Sequence, residues 1–107
     1  LAELTERGEG VYQKNCVACH QMNGEGLPPI FPALAGSDIV MFDKNRNVEI
    51  LMEGVQGAAM QSFANQLSEV DMAAVITYTR QAWGNAENGD GEYVVPSNIV
   101  EYKKPKI

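Results

Sequence analysis

The sequence predicts an all-α fold with several helices and little strand. Three segments carry apolar residues at helical spacing, and they cover residues 3–15, 47–53 and 68–83. The stretches between them are rich in turn residues and lack the alternating pattern of a strand. The chain has 107 residues, the size of one domain, and no apolar run approaches the roughly 20 residues needed to span a bilayer. We therefore expect one domain over residues 1–107, with a loose tail from about residue 97.

The first predicted helix, residues 3–15, contains two glycines at positions where most helices have none. Gly8 and Gly10 each lower helix propensity by roughly 1 kcal/mol relative to alanine. A glycine that weakens a helix often permits the close approach of another backbone. We therefore predict a tight helix crossing in this segment.

The segment Cys16-Val17-Ala18-Cys19-His20 follows this helix and contains both cysteines and the single histidine of the chain. Cys-x-x-Cys-His is the attachment sequence of a c-type haem. The two thiols add across the haem vinyl groups to form thioethers, and the histidine reaches the iron from the proximal side. We therefore predict one covalent haem c attached at Cys16 and Cys19, with His20 as an axial ligand.

Other uses of the same residues fit less well. A thioredoxin-type redox pair belongs in a strand–helix setting within an α/β pattern, which this sequence lacks. A structural zinc site needs four ligands, usually cysteine or histidine, and the chain offers three. A disulfide between Cys16 and Cys19 would close a short loop and add little stability.

The loop at residues 22–37 combines glycine and proline with apolar side chains, among them Leu27, Ile30, Phe31 and Leu34. A loop with this many apolar residues must cover an apolar body, and a haem edge would serve. Residues 38–43 are expected to form a short turn or helix after it.

Two later helices are predicted from their end signals. The first begins with Asn47 as its N-cap and stops at Gly54. The second begins at Ser68, which forms a Ser-x-x-Asp start signal with Asp71, and it extends to Trp83. From residue 85 onward we expect a chain rich in turns.

The sixth ligand of the iron is sought among five methionines, because bis-histidine ligation is excluded within a monomer that has one histidine. A thioether suits a low-spin electron-transfer haem and raises its potential; a weaker group such as lysine, or no ligand, is the alternative. Met22 lies too near the proximal ligand, and Met52 and Met72 lie on apolar helix faces where methionine commonly fills a core. Met60 follows a glycine and two alanines that let the backbone approach a flat ligand. We predict Met60, with Met41 or Met52 as alternatives.

The chain is acidic, with a formal net charge of -6 and a pI near 4.6. This balance argues against nucleic acid and anionic membrane surfaces as partners, and it serves solubility or the steering of a partner equally well. The N-terminus has neither the basic start nor the apolar stretch of a signal peptide, and it lacks methionine. We expect a processed product or an excised domain.

Further motifs lie around the haem attachment sequence. They are Gly8-x-x-x-Tyr12-x-x-x-Cys16 ahead of it, Pro32-Ala33-Leu34 after it, the Met60 loop, and the last long helix with Tyr78. With these motifs the chain resembles a class I cytochrome c over nearly its whole length. The resemblance implies three to five helices wrapped around one covalent haem.

The same resemblance implies two specific contacts. The first and last long helices would cross with Gly8 and Tyr12 against Val75 and Tyr78. The carbonyl of Pro32 would accept a hydrogen bond from His20 Nδ1–H, which orients the imidazole and tunes its donor strength.

A finer resemblance rests on longer segments. They are residues 26–37 (Gly-Leu-Pro-Pro-Ile-Phe-Pro-Ala-Leu-Ala-Gly-Ser), Ala59-Met60-Gln61-Ser62-Phe63, Val75-Ile76-Thr77-Tyr78 and Ala82-Trp83-Gly84-Asn85. These segments are similar to the cytochrome c domain fused to subunit II of caa-type haem–copper oxidases, which receives electrons and passes them to a copper-binding domain. This chain has no dinuclear-copper motif and no transmembrane helix. We therefore expect either a domain excised from such a subunit or a free cytochrome of similar sequence.

The predicted function is one-electron transfer through a His20/Met60-ligated haem, with no substrate turnover. Expected partners are redox proteins: the copper-binding domain of an oxidase, or an upstream cytochrome or quinol-oxidising complex. The isolated domain is expected to be monomeric, in the bacterial periplasm or at the outer face of the inner membrane. The haem edge is expected to be bordered by Ala18 and by apolar residues of the loops at 30–31 and 58–63, which serve docking or only pack on the haem.

A haem-based enzyme or gas sensor is the alternative from another class. It would need a distal hydrogen-bond donor, and Gln61 and Asn65 remain candidates. In the last long helix, Tyr78 is expected to pack in the core and Arg80 to be solvated. Trp83 is expected to pack, with donation of its indole N–H to a haem propionate as an alternative.

Overall fold

The computed structural model describes residues 2–28, 30–58 and 60–103, and its regular elements over these residues are helices. They are α1 (Ala2–Asn15), α2 (Val17–His20), α3 (Asp38–Phe42), α4 (Lys44–Glu53), α5 (Glu69–Gln81), α6 (Asn85–Asn88) and α7 (Pro96–Lys103). The β pairing within the described residues is one isolated antiparallel bridge between Leu27 and Phe31. The all-α prediction is confirmed. None of the helices in the described ranges combines the length and apolar character needed to cross a membrane.

Helices α1 and α5 cross in close contact at Gly8. A Cβ added to Gly8 would lie 2.0 Å from the carbonyl oxygen of Ala74 and 2.8 Å from Cβ of Tyr78. Tyr12, one turn further along α1, is 1% exposed, and its ring centroid lies 5.5 Å from that of Tyr78. The predicted tight crossing is therefore confirmed, although the residue of α5 in closest contact with Gly8 is Ala74 and not Val75.

The core is built on α5, whose residues from Met72 to Thr77 are all buried. Around this helix the buried apolar cluster draws on every other long element of the chain. Its buried members are Tyr12, Val48, Leu51, Phe63, Met72, Ala73, Val75, Ile76, Val94 and Ile99. Helices α1, α3, α4, α6 and α7 all contact α5.

Helix α4 begins earlier than its sequence indicates. Asp43 is the N-cap, and its side chain accepts a hydrogen bond from Arg46 N–H at 3.0 Å. Asn47 was predicted for this role but lies inside the helix, where its Nδ2 donates to the carbonyls of Ile39 and Asp43 at 3.0 Å each. Asn47 thus ties α3 to α4. The predicted stop at Gly54 is confirmed, with φ at 73°.

Helix α5 begins as predicted and ends two residues early. The Ser68 hydroxyl accepts a hydrogen bond from Asp71 N–H at 3.1 Å, and the helix ends at Gln81. Trp83 lies beyond it with φ at 57° and donates its indole N–H to the carbonyl of Met22 at 3.0 Å. Its ring also meets those of Tyr12 and Tyr78 at centroid distances of 5.3 and 5.7 Å. The single N–H of Trp83 is used there, and both Trp83 and Tyr78 pack against the core.

Arg80 was predicted to be solvated, and this was wrong because it is 2% exposed. Its guanidinium donates to the carbonyls of Glu92 and Val40, both at 2.8 Å, and forms an ion pair with Asp90. The helical pattern places Arg80 on the polar face of α5. In the structure, the loop after α6 and the end of α3 cover this face. Arg80 therefore joins three separate parts of the chain.

Asp90→Asn is expected to lower the free energy of unfolding by about 1–2 kcal/mol at neutral pH, because the buried guanidinium loses its counter-charge but keeps an acceptor. Partial burial alone would raise the pKa of Asp90, but the hydrogen bond and charge of Arg80 hold it below its ordinary value. A depressed pKa contributes stability above about pH 4 that is lost as the carboxylate is protonated. The difference between wild type and variant in denaturant unfolding should therefore shrink in acid.

Glu92→Gln is the matched control for this prediction, because Glu92 pairs with Lys44 with its side chain 58% exposed. Exposed pairs of this kind contribute little, so the control should unfold almost as wild type does. An Asp90→Asn deficit that is the same at neutral and acid pH would contradict the assigned role of the carboxylate.

The C-terminal segment differs from its prediction as a loose tail from about residue 97. Residues 97–103 belong to α7, which packs on α5 and buries Ile99 completely. Thr77 Oγ1 donates to the Val94 carbonyl at 2.7 Å and fixes the chain just ahead of this helix. The basic residues Lys104 and Lys106 lie outside the described residues.

Candidate functional site

A cavity of about 350 Å³ opens between helices α1 to α5 and the loops at residues 30–37 and 55–63. Its walls are mainly apolar. The lining residues are Tyr12, Asn15, Cys16, Cys19, His20, Ile30, Phe31, Pro32, Ala33, Leu34, Ser37, Ile39, Val40, Asn47, Ile50, Leu51, Val55, Ala58, Met60, Gln61, Phe63, Val75, Ile76 and Thr79. All five residues predicted for the site, Cys16, Cys19, His20, Pro32 and Met60, are among them.

One wall carries the two thiols and the imidazole. Cys16 continues α1 through a hydrogen bond from its N–H to the Tyr12 carbonyl at 2.9 Å, and His20 N–H bonds back to the Cys16 carbonyl at 2.9 Å. Positions 16, 19 and 20 therefore share one face of a single helical turn. Both cysteines are free thiols. Burial, followed by the neighbouring Cys19, raises the pKa of Cys16 to about 11, so this thiol is protonated at neutral pH.

The imidazole of His20 is held by a backbone carbonyl. Its Nδ1 lies 2.9 Å from the carbonyl oxygen of Pro32, which accepts the hydrogen bond when Nδ1 carries the proton. Nε2 is then left as the nitrogen with a free lone pair. The backbone of Gly26, at a φ of 62°, lies against this carbonyl, and an added Cβ would come within 2.6 Å of Pro32 O. The contact that the sequence resemblance implied is therefore present.

Met60 lies on the cavity wall, in a segment fixed to the end of α4. Val55 N–H donates to the Met60 carbonyl at 3.0 Å, and Ser62 Oγ donates to the Met52 carbonyl at 2.5 Å. A Cβ at Gly54 would lie 2.8 Å from the Met60 carbonyl, so only glycine allows this close contact. The chain at Met60 and at Ser62 is thus anchored to the end of α4.

The other four methionines lie away from the cavity lining. Met72 is fully buried in the core, and Met52 packs against that core. Met41 is 8% exposed, and Met22 is 55% exposed. Among the methionines, all of which are described, Met60 alone contributes to the cavity wall.

Several lining residues were not predicted. The α3 and α4 side of the cavity, with Ile39, Val40, Ile50 and Leu51, was missed, although the apolar pairs at 39–40 and 50–51 were visible in the sequence. Asn85, whose side chain reaches the loop that carries Pro32, was also missed as a functional residue. Of the two candidate distal donors, Gln61 lines the cavity, whereas Asn65 is absent from its lining.

The donor set fits a haem c. Two thiols three residues apart match the attachment chemistry of the vinyl groups, and an imidazole beside them presents Nε2 as a nitrogen ligand. A thioether and an apolar lining suit a low-spin electron-transfer haem. No alternative metal site competes with it, since the described residues contain no group of three or more histidine, cysteine or acidic side chains arranged to hold a metal ion.

Comparison with known proteins places these features in one family. Residues 3–78 match the family model described as cytochrome c oxidase, cbb3-type, subunit III. The chain is 36% identical to a cytochrome c-552 of Thermus thermophilus, over 97% of this chain and 77% of that protein.

Two further similarities extend the picture. The chain is 34% identical to the cytochrome c subunit of a quinone-dependent alcohol dehydrogenase from Gluconobacter oxydans, over 82% of this chain but 22% of that subunit. The chain thus spans about a fifth of that relative's length. In fold it is similar to the crystal structure of cytochrome cL from Methylophaga aminisulfidivorans, with a TM-score of 0.67, 19% identity, and coverage of 98% of this chain and 69% of that one.

Proposed function

We propose that this chain, which belongs to the cytochrome c family, transfers single electrons between redox proteins through one haem c held in the cavity described above. One observation carries the proposal: both cysteines, the single histidine and one of five methionines line the same apolar cavity. Residues 1–107 would then form one mono-haem domain.

Each residue of the set has a distinct task in this proposal. Cys16 and Cys19 would anchor the haem through thioethers, while His20 Nε2 and the Met60 sulfur would bind its iron. The Pro32 carbonyl keeps the Nδ1 proton of His20 and fixes the plane of the ring. When bound, the haem iron supplies the one-electron couple. The apolar walls exclude water, which disfavours the more highly charged oxidised form and raises the potential.

The rim of the cavity supports transient docking. Ile30 lines the cavity and is 72% exposed, and nearby in sequence Leu27 is 56% exposed. Ala18 is exposed and is absent from the cavity lining. A small apolar patch of this kind suits the weak, short-lived complexes of redox partners. This chain has a formal net charge of -6. A partner with a basic surface would therefore associate with it faster at low ionic strength.

The electron acceptor that we propose is the copper site of a terminal oxidase, with the chain as the domain fused to its subunit II. The motif over residues 26–37 and the oxidase subunit named by the matching family support it. A free carrier between respiratory complexes is the second candidate, and similarity to cytochrome c-552 over 97% of this chain favours it. Both candidates would work in the periplasm or at the outer face of the bacterial inner membrane.

The experiment that tests the function is expression with a c-type maturation system, followed by a pyridine haemochrome spectrum and a denaturing gel stained for haem. We expect one covalent haem per chain in the wild type and none in a Cys16→Ala/Cys19→Ala variant. A redox titration should follow a single one-electron curve. A wild-type chain that leaves the maturation system without covalent haem would overturn the proposal.

Two further measurements separate the candidate roles. Stopped-flow oxidation of the reduced protein by a soluble copper-binding domain should be fast and salt-dependent if an oxidase is the acceptor. The reduced spectrum should be insensitive to carbon monoxide at neutral pH if Met60 binds the iron as proposed. A spectrum that shifts readily with carbon monoxide would favour a gas-binding role instead.

A further inference from the structure

Asn85, the first residue of α6, is a buried side chain whose polar groups all bind backbone. It is 1% exposed. Its Oδ1 accepts a hydrogen bond from Gly36 N–H at 2.8 Å, and its Nδ2 donates to the carbonyls of Leu34 and Thr79 at 3.1 and 2.8 Å. One amide therefore joins the end of α5 to the segment that follows Pro32.

The segment at residues 30–36, here called the proximal strap, is tied to the rest of the chain on both sides of its proline. On the near side, Leu27 and Phe31 exchange two backbone hydrogen bonds of 2.8 and 3.0 Å. On the far side, Leu34 N–H donates to the Gly24 carbonyl at 2.7 Å. The carbonyl of that same leucine is taken by the asparagine, so both of its backbone groups are fixed.

Pro32 depends on these neighbours because it has no N–H of its own with which to be held. Its carbonyl nevertheless has to meet His20 Nδ1 at 2.9 Å. A shift of the strap at Leu34, two residues away, would lengthen or tilt this hydrogen bond. The Asn85 side chain is hydrogen-bonded to the strap at both Leu34 and Gly36.

We propose that Asn85 is a positioning residue for His20: by holding the proximal strap it keeps the Pro32 carbonyl aligned and so sets the donor strength of the imidazole. This inference rests on the proposed function, in which His20 binds the haem iron. A hydrogen bond accepted from Nδ1–H makes the imidazole a stronger donor, and a stronger donor stabilises the oxidised iron and lowers the potential. Loosening the strap should therefore raise the potential.

The test compares Asn85→Ala with a control, Thr77→Val. Thr77 is fully buried on α5, where its hydroxyl donates to and accepts from the backbone of Val94 at 2.7 and 3.0 Å. Removing this hydroxyl deletes two buried hydrogen bonds whose partner, Val94, lies outside the strap. Both variants should lose thermal stability, so stability alone does not distinguish a positioning role from a structural one.

Two readouts distinguish them. In reduced haem-loaded protein, exchange of the His20 Nδ1 proton with deuterium, followed by NMR, should become roughly tenfold faster in Asn85→Ala because its hydrogen bond opens more often. The reduction potential should rise while the sulfur-to-iron absorption band is retained. In Thr77→Val both properties should match wild type.

Unchanged proton exchange and potential in a folded Asn85→Ala variant would overturn the proposal and leave Asn85 as a structural residue. If that variant does not fold, Asn85→Ser carries the same expectations, since its small hydroxyl cannot hold all three partners but leaves room for water to solvate them. A wild-type chain that binds no haem would instead overturn the proposed function. The two failures are therefore distinguishable.

Discussion

Met60→Ala is expected to abolish the far-red sulfur-to-iron charge-transfer band of the oxidised protein and to lower the reduction potential on the order of 0.1 V. In the proposed function the Met60 thioether binds the iron and favours its reduced form, so its loss would leave water or no ligand in its place. The covalent attachment does not depend on Met60, so the haem stain on a denaturing gel should be unchanged. Absorption spectra and a redox titration measure both effects.

Met52→Ala is the matched control, because it removes the same type of side chain from α4, near the segment that carries Met60. Met52 packs against the core and is absent from the cavity wall, so its loss should reduce stability while the band and the potential are kept. Loss of the band in Met52→Ala but not in Met60→Ala would show that the axial ligand had been misassigned. We also expect the reduced spectrum of Met60→Ala to change when carbon monoxide is added.

The parts of the fold that follow from local chemistry could be predicted from the sequence. Ser68 begins α5 because its hydroxyl accepts from an N–H three residues away, an interaction contained in one helical turn. Asp43 and Asn47 are both good N-cap residues for α4. Asp43 takes this role because the side chain of Asn47 is hydrogen-bonded to α3. Local sequence does not contain that contact, so the predicted start of α4 was late.

Features that depend on distant contacts were predicted poorly. Arg80 lies on what the helical pattern presents as a polar face, and residues 10 and 40 positions away in sequence close over it. Helix α7 has little local signal, since its burial rests mainly on Ile99 meeting the core formed by α5. Helix α7 therefore depends on tertiary packing, and the turn residues ahead of it led to the prediction of a loose tail.

The site shows the same division. Cys16, Cys19 and His20 are separated by one helical turn, so their common face follows from spacing alone. Met60 could be chosen because chain position and helical pattern argued against most competing methionines. Asn85, in contrast, acts on residues 49 and 51 positions earlier, and nothing near it in sequence points to them.

Gly8→Ala is expected to lower the free energy of unfolding by at least about 3 kcal/mol, or to prevent folding altogether. The added Cβ would lie 2.0 Å from the Ala74 carbonyl oxygen and 2.6 Å from its carbon, both in the backbone of α5. No side-chain rotation can relieve contacts with backbone, so α1 and α5 would have to separate. Separation would also part Tyr12 from Tyr78 and open the core beside the haem cavity.

Gly10→Ala separates this steric effect from helix propensity, because Gly10 lies two residues further along the same helix and an added Cβ there meets nothing within 4 Å. Alanine restricts the unfolded chain and favours the helix, so this variant should be more stable than wild type by about 0.5–1 kcal/mol. Denaturant unfolding of the two variants should therefore show changes of opposite sign from the same substitution. If Gly8→Ala were as stable as Gly10→Ala, the close contact between α1 and α5 at Gly8 would be contradicted. The packing of these helices beside the cavity would then be wrong as well.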